Sequence, residues 1–368
     1  MMREQQRPIP DLTLALATLM LLAIGLVLIY SSSAILAMGR SGDSFYYIKR
    51  QLVFAAAGVM GLLAILRLDQ DDLRDWSGLL MIAVIGMLAL TLVPGIGKVA
   101  GGARRWLGAG PIRFQPSELA KIALVLFSAD RLSRPGPKEG FSWKAGSPAV
   151  ILATAITAGL TLLEPDFGSS VMIVLISAGM LYCAGLNPRL FLWPALMGVP
   201  AAAFIVLHSA YRLRRVQVFL DPWKDPNGAG FQIVHSMMAF GTGGLIGQGL
   251  GEGKQKLYYL PEPHTDFIFS TAGEEFGFLG CMTLLAVFLI FLWRGFMISL
   301  KTKDLFIKLA SLGITSMLGL QIAVNLCVVL GLAPTKGTTL PFLSSGGSAL
   351  MVDLAAVGLL LNFSKAPE

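Results

Sequence analysis

Leu12-Thr-Leu-Ala-Leu-Ala-Thr-Leu-Met-Leu-Leu-Ala-Ile-Gly-Leu-Val-Leu-Ile-Tyr-Ser-Ser-Ser-Ala-Ile-Leu-Ala-Met-Gly39 carries no charge from end to end, and Arg3 and Arg7 precede it. A secretory h-region runs about 7–15 residues. This run is longer and others follow it, so it reads as a retained membrane helix. Crossing the hydrocarbon layer takes about 20 mostly apolar helical residues. Charge-free windows of that order recur at Trp76–Gly97, Ala145–Leu163, Phe167–Pro188, Leu190–Tyr211, Phe276–Trp293 and Leu309–Thr335. Weaker windows are Gln51–Leu66, the stretch after Pro116 (with Glu118 and Lys121) and Ser344–Phe363 (with Asp353), which makes ten spans.

Composition agrees. Of 368 residues, 55% are hydrophobic and 14% charged, against about 25% charged in globular domains, and the mean hydropathy is +0.69. Only helices and closed barrels satisfy the backbone in lipid, and these runs lack the alternation of barrel strands. The expected fold is an all-α polytopic membrane protein of about ten transmembrane helices. It forms a single integral membrane domain over residues 1–368, with one large extracytoplasmic loop, 209–265, between helices 7 and 8. Cys183, Cys281 and Cys327 all fall inside spans, and the three histidines offer no metal-binding spacing.

An even number of spans puts both termini on one side. Lysines and arginines in short loops set orientation, and here the two faces nearly balance. Setting aside the long loop favours cytoplasmic termini. The outer face then carries Arg104, Arg105, Arg113, Arg212, Arg214, Arg215 and Lys336, among others. Lipid headgroup anchoring would account for a few of these; a vestibule for phosphate groups accounts for more, since arginine pairs bidentately with phosphate oxygens.

Within the large loop, Asp221–Gly230 is a string of turn signals and Phe231–Phe240 suits a short helix. The glycine cluster Gly241–Gly253 invites a phosphate-loop reading that fails. Gln248 stands where the first glycine belongs, and Gln255 where Ser or Thr must follow Lys254. The loop ends in Tyr258-Tyr-Leu-Pro-Glu-Pro-His-Thr-Asp-Phe-Ile-Phe269, which delivers His264, Thr265 and Asp266 to the mouth of an apolar helix. A lone carboxylate at a membrane surface among cations suits chemistry on an anionic, lipid-borne substrate. An Asp at a helix start is also an ordinary N-cap.

Glu118 and Lys121 sit i,i+3 on one helix face, where they can pair; Arg113 lies just before that helix. A structural ion pair and substrate contact both fit. Glu274 lies about 12 Å along the helix from Asp266 at 1.5 Å per residue, and reads as a buried packing or gating carboxylate. Asp353 calls for a structural partner. Glu164 and Asp166 flank Pro165 in a tight turn. Tyr258 and Tyr259 read as interfacial anchors.

Seven stretches carry a resemblance: Gly102-Ala-Arg-Arg-Trp-Leu107, Phe114-Gln-Pro-Ser-Glu-Leu-Ala-Lys121, Glu164-Pro-Asp-Phe-Gly168, Tyr211-Arg-Leu-Arg-Arg215, His264-Thr-Asp-Phe-Ile-Phe269, Gly273-Glu-Glu-Phe-Gly277 and Pro334-Thr-Lys-Gly337. In this order, over almost the whole chain, they resemble the SEDS family (shape, elongation, division and sporulation) of polytopic glycosyltransferases, and the division branch more than the elongation branch. The chain departs at Ser345, where the family has an aromatic.

The resemblance implies a peptidoglycan glycosyltransferase that polymerises lipid II into β-1,4-linked glycan strands during septal cell-wall synthesis and releases undecaprenyl pyrophosphate. The alternative is a lipid II flippase. It implies that Asp266 is the catalytic base, and a substrate-binding set of Arg113, Glu118, Lys121, Arg212, Arg214, Arg215, His264 and Lys336. A divalent cation (Mg²⁺ or Mn²⁺) held by Asp266 and the pyrophosphate would fit; no organic cofactor is implied. The implied partners are a class B penicillin-binding protein (FtsI type), other divisome proteins and the membrane, with no nucleic acid. The implied location is the cytoplasmic (inner) membrane, with the active site on the extracytoplasmic face.

Overall fold

A computed structural model of the protein describes residues 10–100, 103–109, 112–134, 146–228, 230–253 and 264–366. Every one of the ten apolar windows holds a helix. They are α1 (Leu12–Ser41), α2 (Tyr46–Ile65), α4 (Ser77–Leu92), α5 (Pro116–Ser133), α6 (Ser147–Leu163), α7 (Phe167–Cys183), α8 (Leu192–Leu207), α11 (Ile268–Lys301), α12 (Leu305–Val329) and α13 (Gly347–Phe363). By length and composition α1, α2, α11, α12 and Pro188–Leu207, which contains α8, can cross a membrane; α4, α6, α7 and α13 are apolar but shorter. The chain is thus a polytopic helical membrane protein.

Short elements fill the connections: α3 (Gln70–Asp75), α9 (Ala210–Leu220), α10 (Phe231–Gly243), and three antiparallel strands, β1 (Lys98–Ala100), β2 (Ala103–Ala109) and β3 (Ile112–Phe114). The pairings Val99↔Arg104 and Gly108↔Arg113 set their register. The loop expected over 209–265 is therefore largely helical where it is described: α10 matches the expected short helix, and α9 is additional.

Helix α5 lies at the centre, packed by α4, α6, α7 and α12. Pro116 opens its first turn, where the missing N–H costs nothing. Two of its four charges cancel inside the bundle, with Lys121 Nζ 2.7 Å from Glu118. Around it, α2 packs on α13, and α11 on α1 and α12.

Polar ties close one end of the bundle. Arg294 pairs with Asp11, whose N–H donates to Ser364 Oγ at 3.0 Å. The Asn362 amide donates to the Ile65 and Leu68 carbonyls at 2.9 and 2.8 Å. Buried Asp130 accepts from Arg74 and Arg134 at 3.2 and 2.8 Å. Both ends of the described chain lie here. The β-hairpin, the α6–α7 turn and the α12–α13 loop gather at the opposite end.

Helix α11 is broken at Gly277, whose φ of 66° and ψ of −167° suit glycine alone. The glycine cluster packs into this break. Gln248 and Gly249 donate to the Glu274 and Glu275 carbonyls at 3.0 and 3.1 Å, while Phe278 and Leu279 donate to Gly244 and Leu245 at 2.9 and 3.0 Å. A Cβ at Gly277 would lie 2.2 Å from the Gly247 nitrogen. The cluster that mimics a phosphate loop is thus a close-packing device.

Gly277→Ala is expected to lower stability by about 3 kcal/mol or more, since a strained backbone costs roughly 1–3 kcal/mol before any clash. Gly241→Ala, in α10 with nothing within 4 Å of the added carbon, should be neutral. Thermal melts of the two variants in detergent check this pair.

Candidate active site

Asp266 stands two residues before α11. The cap position belongs to Phe267, one residue after Asp266. The backbone of Asp266 is held: the Asn325 amide, from within α12, donates to the Asp266 carbonyl at 3.0 Å and to the Thr338 carbonyl at 2.6 Å. Ser344 Oγ donates to the Thr265 carbonyl at 2.7 Å, and the Ser345 N–H to the His264 carbonyl at 2.8 Å. Gln51, buried in α2, donates to the Ser344 carbonyl at 3.3 Å. The segment 264–266 is therefore laced to the loop 336–345.

The carboxylate faces that loop closely enough that a Cβ at Gly337 would sit 3.2 Å from Asp266 Oδ2. A side chain there would press on the carboxylate. Asn325→Leu removes both amide bonds and leaves two carbonyls unsatisfied. We expect kcat to fall about 10–100-fold, the usual effect of a lost positioning contact, with KM nearly unchanged. Steady-state kinetics would separate the two.

Next to Gly337, Lys336 turns inward. Its Nζ donates to the Gly168 carbonyl at 2.8 Å, and its stem crosses Gly168 where a Cβ would lie 1.9 Å from Cε. Burial, then the neighbouring Lys121, pulls its pKa down to about 8, opposed by Asp166 and Glu118. It remains mostly cationic at neutral pH. Asp166 caps α7 through the Ser169 N–H at 3.0 Å, and also accepts from Gln115 Nε2 at 3.1 Å and faces Arg105 at 3.6 Å.

Two of the three clustered arginines of α9 reach this rim. Arg215 donates to the Thr335 carbonyl at 2.8 Å, and Arg212 stacks 5.7 Å from the Phe167 ring centre. Arg214 points elsewhere, to exposed Asp225 at 3.4 Å. Arg113 is exposed on β3, three residues before α5. Glu274 is buried in α11, and Asp353, in α13, meets the Phe342 backbone.

His264 stacks on Tyr47 with ring centres 4.3 Å apart. Burial, then Arg40, pushes its pKa from 6.5 down to about 4. Between those values the unfolded chain binds a proton that the folded site refuses, so stability falls as pH drops from 6.5 towards 4. His264→Phe should flatten that part of a melting-temperature profile.

One sequence family matches residues 12–368, that described as cell cycle protein, FtsW/RodA/SpoVE. The chain belongs to this family. It is 44% identical to stage V sporulation protein E of Bacillus subtilis, over 97% of both chains. It is 42% identical to a probable peptidoglycan glycosyltransferase FtsW of Geobacter metallireducens, over 96% of this chain and 94% of that one. Among solved structures, a chain of a peptidoglycan synthase complex superposes with a TM-score of 0.78 at 31% identity, covering 96% of this chain and 97% of that one. RodA of Thermus thermophilus superposes with a TM-score of 0.72 at 30% identity, covering 96% of each.

In FtsW/RodA/SpoVE terms, the structure gathers Asp266, Lys336, Lys121, Glu118, Arg212 and Arg215 at one end of the bundle, and leaves Arg113 and Arg214 outward. Sequence reasoning missed Asn325, Gln51 and Ser344, which fix the backbone around Asp266. A buried amide in an apolar run, as at Asn325, was the available signal. Tyr258 and Tyr259 lie outside the described residues.

Proposed function

We propose that the chain is a peptidoglycan glycosyltransferase that elongates glycan strands from lipid II. The observation that carries this is the placement of the Asp266 carboxylate against Gly337, at the end of the bundle where Lys336, Arg105, Arg212 and Arg215 also gather. Relatives named probable peptidoglycan glycosyltransferases, near-identical in length, support it. This end faces the extracytoplasmic side of the cytoplasmic membrane, with both termini in the cytoplasm.

In the reaction Asp266 takes the proton of the acceptor sugar's 4-hydroxyl. The oxygen attacks the donor's anomeric carbon from the face opposite the pyrophosphate, the anomeric C–O bond breaks, and undecaprenyl pyrophosphate leaves with the bonding pair. Inversion at an α-linked donor gives the β-1,4 bond. Lys336 and Lys121, with Arg212 and Arg215, neutralise charge on the departing pyrophosphate, which is where preorganised donors act most strongly. Glu118 holds Lys121 in place.

Among the described residues no three His, Cys, Asp or Glu side chains group as a metal site. The single Asp266 carboxylate fits Mg²⁺ shared with substrate phosphates. Such an ion, when bound, would neutralise phosphate charge. The partner is a class B penicillin-binding protein, consistent with the synthase complex whose chain superposes here.

The rival is a lipid II flippase, for which a carboxylate fixed at the surface has no use. Reconstituted vesicles decide between them: Asp266→Asn should lose polymerisation in the transferase, whereas a flippase would keep transporting lipid II at the wild-type rate.

A further inference from the structure

We propose that Glu164 is a positioning residue of this site, a neutral carboxylic acid that donates its proton to Thr91 and so clamps the α6–α7 turn carrying Asp166 and Gly168. Thr91 Oγ1 lies 2.6 Å from the Leu88 carbonyl, which can only accept, and the same Oγ1 is hydrogen-bonded to Glu164 Oε1. A hydroxyl has one proton. With it given to Leu88, the second bond forms only if Glu164 supplies a proton of its own.

The surroundings agree. Glu164 is fully buried, and its Oε2 has no hydrogen-bond partner. An ionised carboxylate left that way costs far more than a neutral acid. Charged groups facing it are Asp166, from its own turn, and Arg105, from β2. Helices α4, α6 and α7 carry no Asp, Glu, Lys or Arg. Arg105 is already engaged with Asp166 at 3.6 Å. Burial, with Asp166 adding to it, raises the Glu164 pKa from 4.5 to about 7.

The clamp bears on the site because the turn is short. Two residues beyond Glu164, Asp166 takes its bonds from Gln115 and Ser169; two further on, the Gly168 carbonyl receives Lys336 Nζ. Ionising Glu164 sets two carboxylates side by side with one donor lost, and pushes this turn off Lys336. The effect on activity rests on the transferase reading; the protonation state does not.

The test is infrared spectroscopy of the purified wild-type chain and Glu164→Gln across pH, run beside lipid II polymerisation. We expect a protonated-carboxyl carbonyl band in the wild type that Glu164→Gln lacks and that fades as pH rises through about 7. Glu164→Gln should polymerise within about threefold of wild type at pH 6 and hold that rate where the wild type declines, while Glu164→Ala loses about 10–100-fold. A decline common to both near pH 8 belongs to Lys336. Identical carboxyl bands in wild type and Glu164→Gln overturn the neutral acid. Glu164→Gln that is inactive at every pH, or that declines in step with the wild type below pH 8, overturns the positioning role.

Discussion

Asp266→Ala reduces glycan polymerisation to background, a loss of at least about 10³-fold, within the range that a positioned general base contributes. Asp266→Asn does the same, since the amide fills the same space and cannot take the proton. Both variants fold. The Asn325 amide and Ser344 hydroxyl that fix the local backbone reach the carbonyls of Asp266 and Thr265, which survive the substitution. Gel-resolved glycan products and a detergent melt, measured on the same preparations, check both halves. Asp266→Glu recovers little, because the added methylene shifts the carboxylate from the position it holds against Gly337.

The second large effect is at Lys336. Lys336→Met keeps the stem across Gly168 and deletes the charge, so it isolates electrostatics from packing. Removing one preorganised donor from a site of developing negative charge costs about 10²–10³-fold, and we expect kcat/KM on lipid II to fall by that much. Lys336→Arg does not rescue: the stem already runs so close that only glycine fits at 168, and a planar guanidinium cannot take the ammonium's place. Burial of the charge makes the wild type more sensitive to low pH. The lysine's pKa is about 8 in the folded chain against 10.5 unfolded, so stability rises as pH climbs from 8 towards 10.5, and Lys336→Met lacks that rise.

The helices were legible because their signal is local. An uncharged run of spanning length that lacks strand alternation is left with the helix as its backbone solution in lipid, and each window in fact holds a helix. The Glu118–Lys121 pair was legible for the same reason, since helical spacing alone brings the two together. Helix α9 went unread although Leu213, Val216 and Leu220 repeat at helical intervals; the three arginines drew attention to charge and away from period. Strands β1–β3 are short and define themselves only by pairing, which periodicity does not report.

At the site, the type of residue was readable and its surroundings were not. Asp266 is conspicuous as a carboxylate at a helix mouth. What fixes it comes from Asn325, 59 positions away, and the loop beyond it. The glycine cluster misleads in isolation, because its reason is the break at Gly277, with which it shares no local pattern. Glu164 reads as a turn residue; its bond to the Thr91 hydroxyl depends on a helix residue 73 positions earlier.

One measurement bears most directly on the transferase. Purified lipid II is incubated with the detergent-purified wild-type chain and its class B penicillin-binding protein, with and without Mg²⁺, and the products are resolved by length. The account predicts a ladder of glycan strands with release of undecaprenyl pyrophosphate. Unreacted lipid II in every condition, from a folded protein in an intact complex, would contradict it.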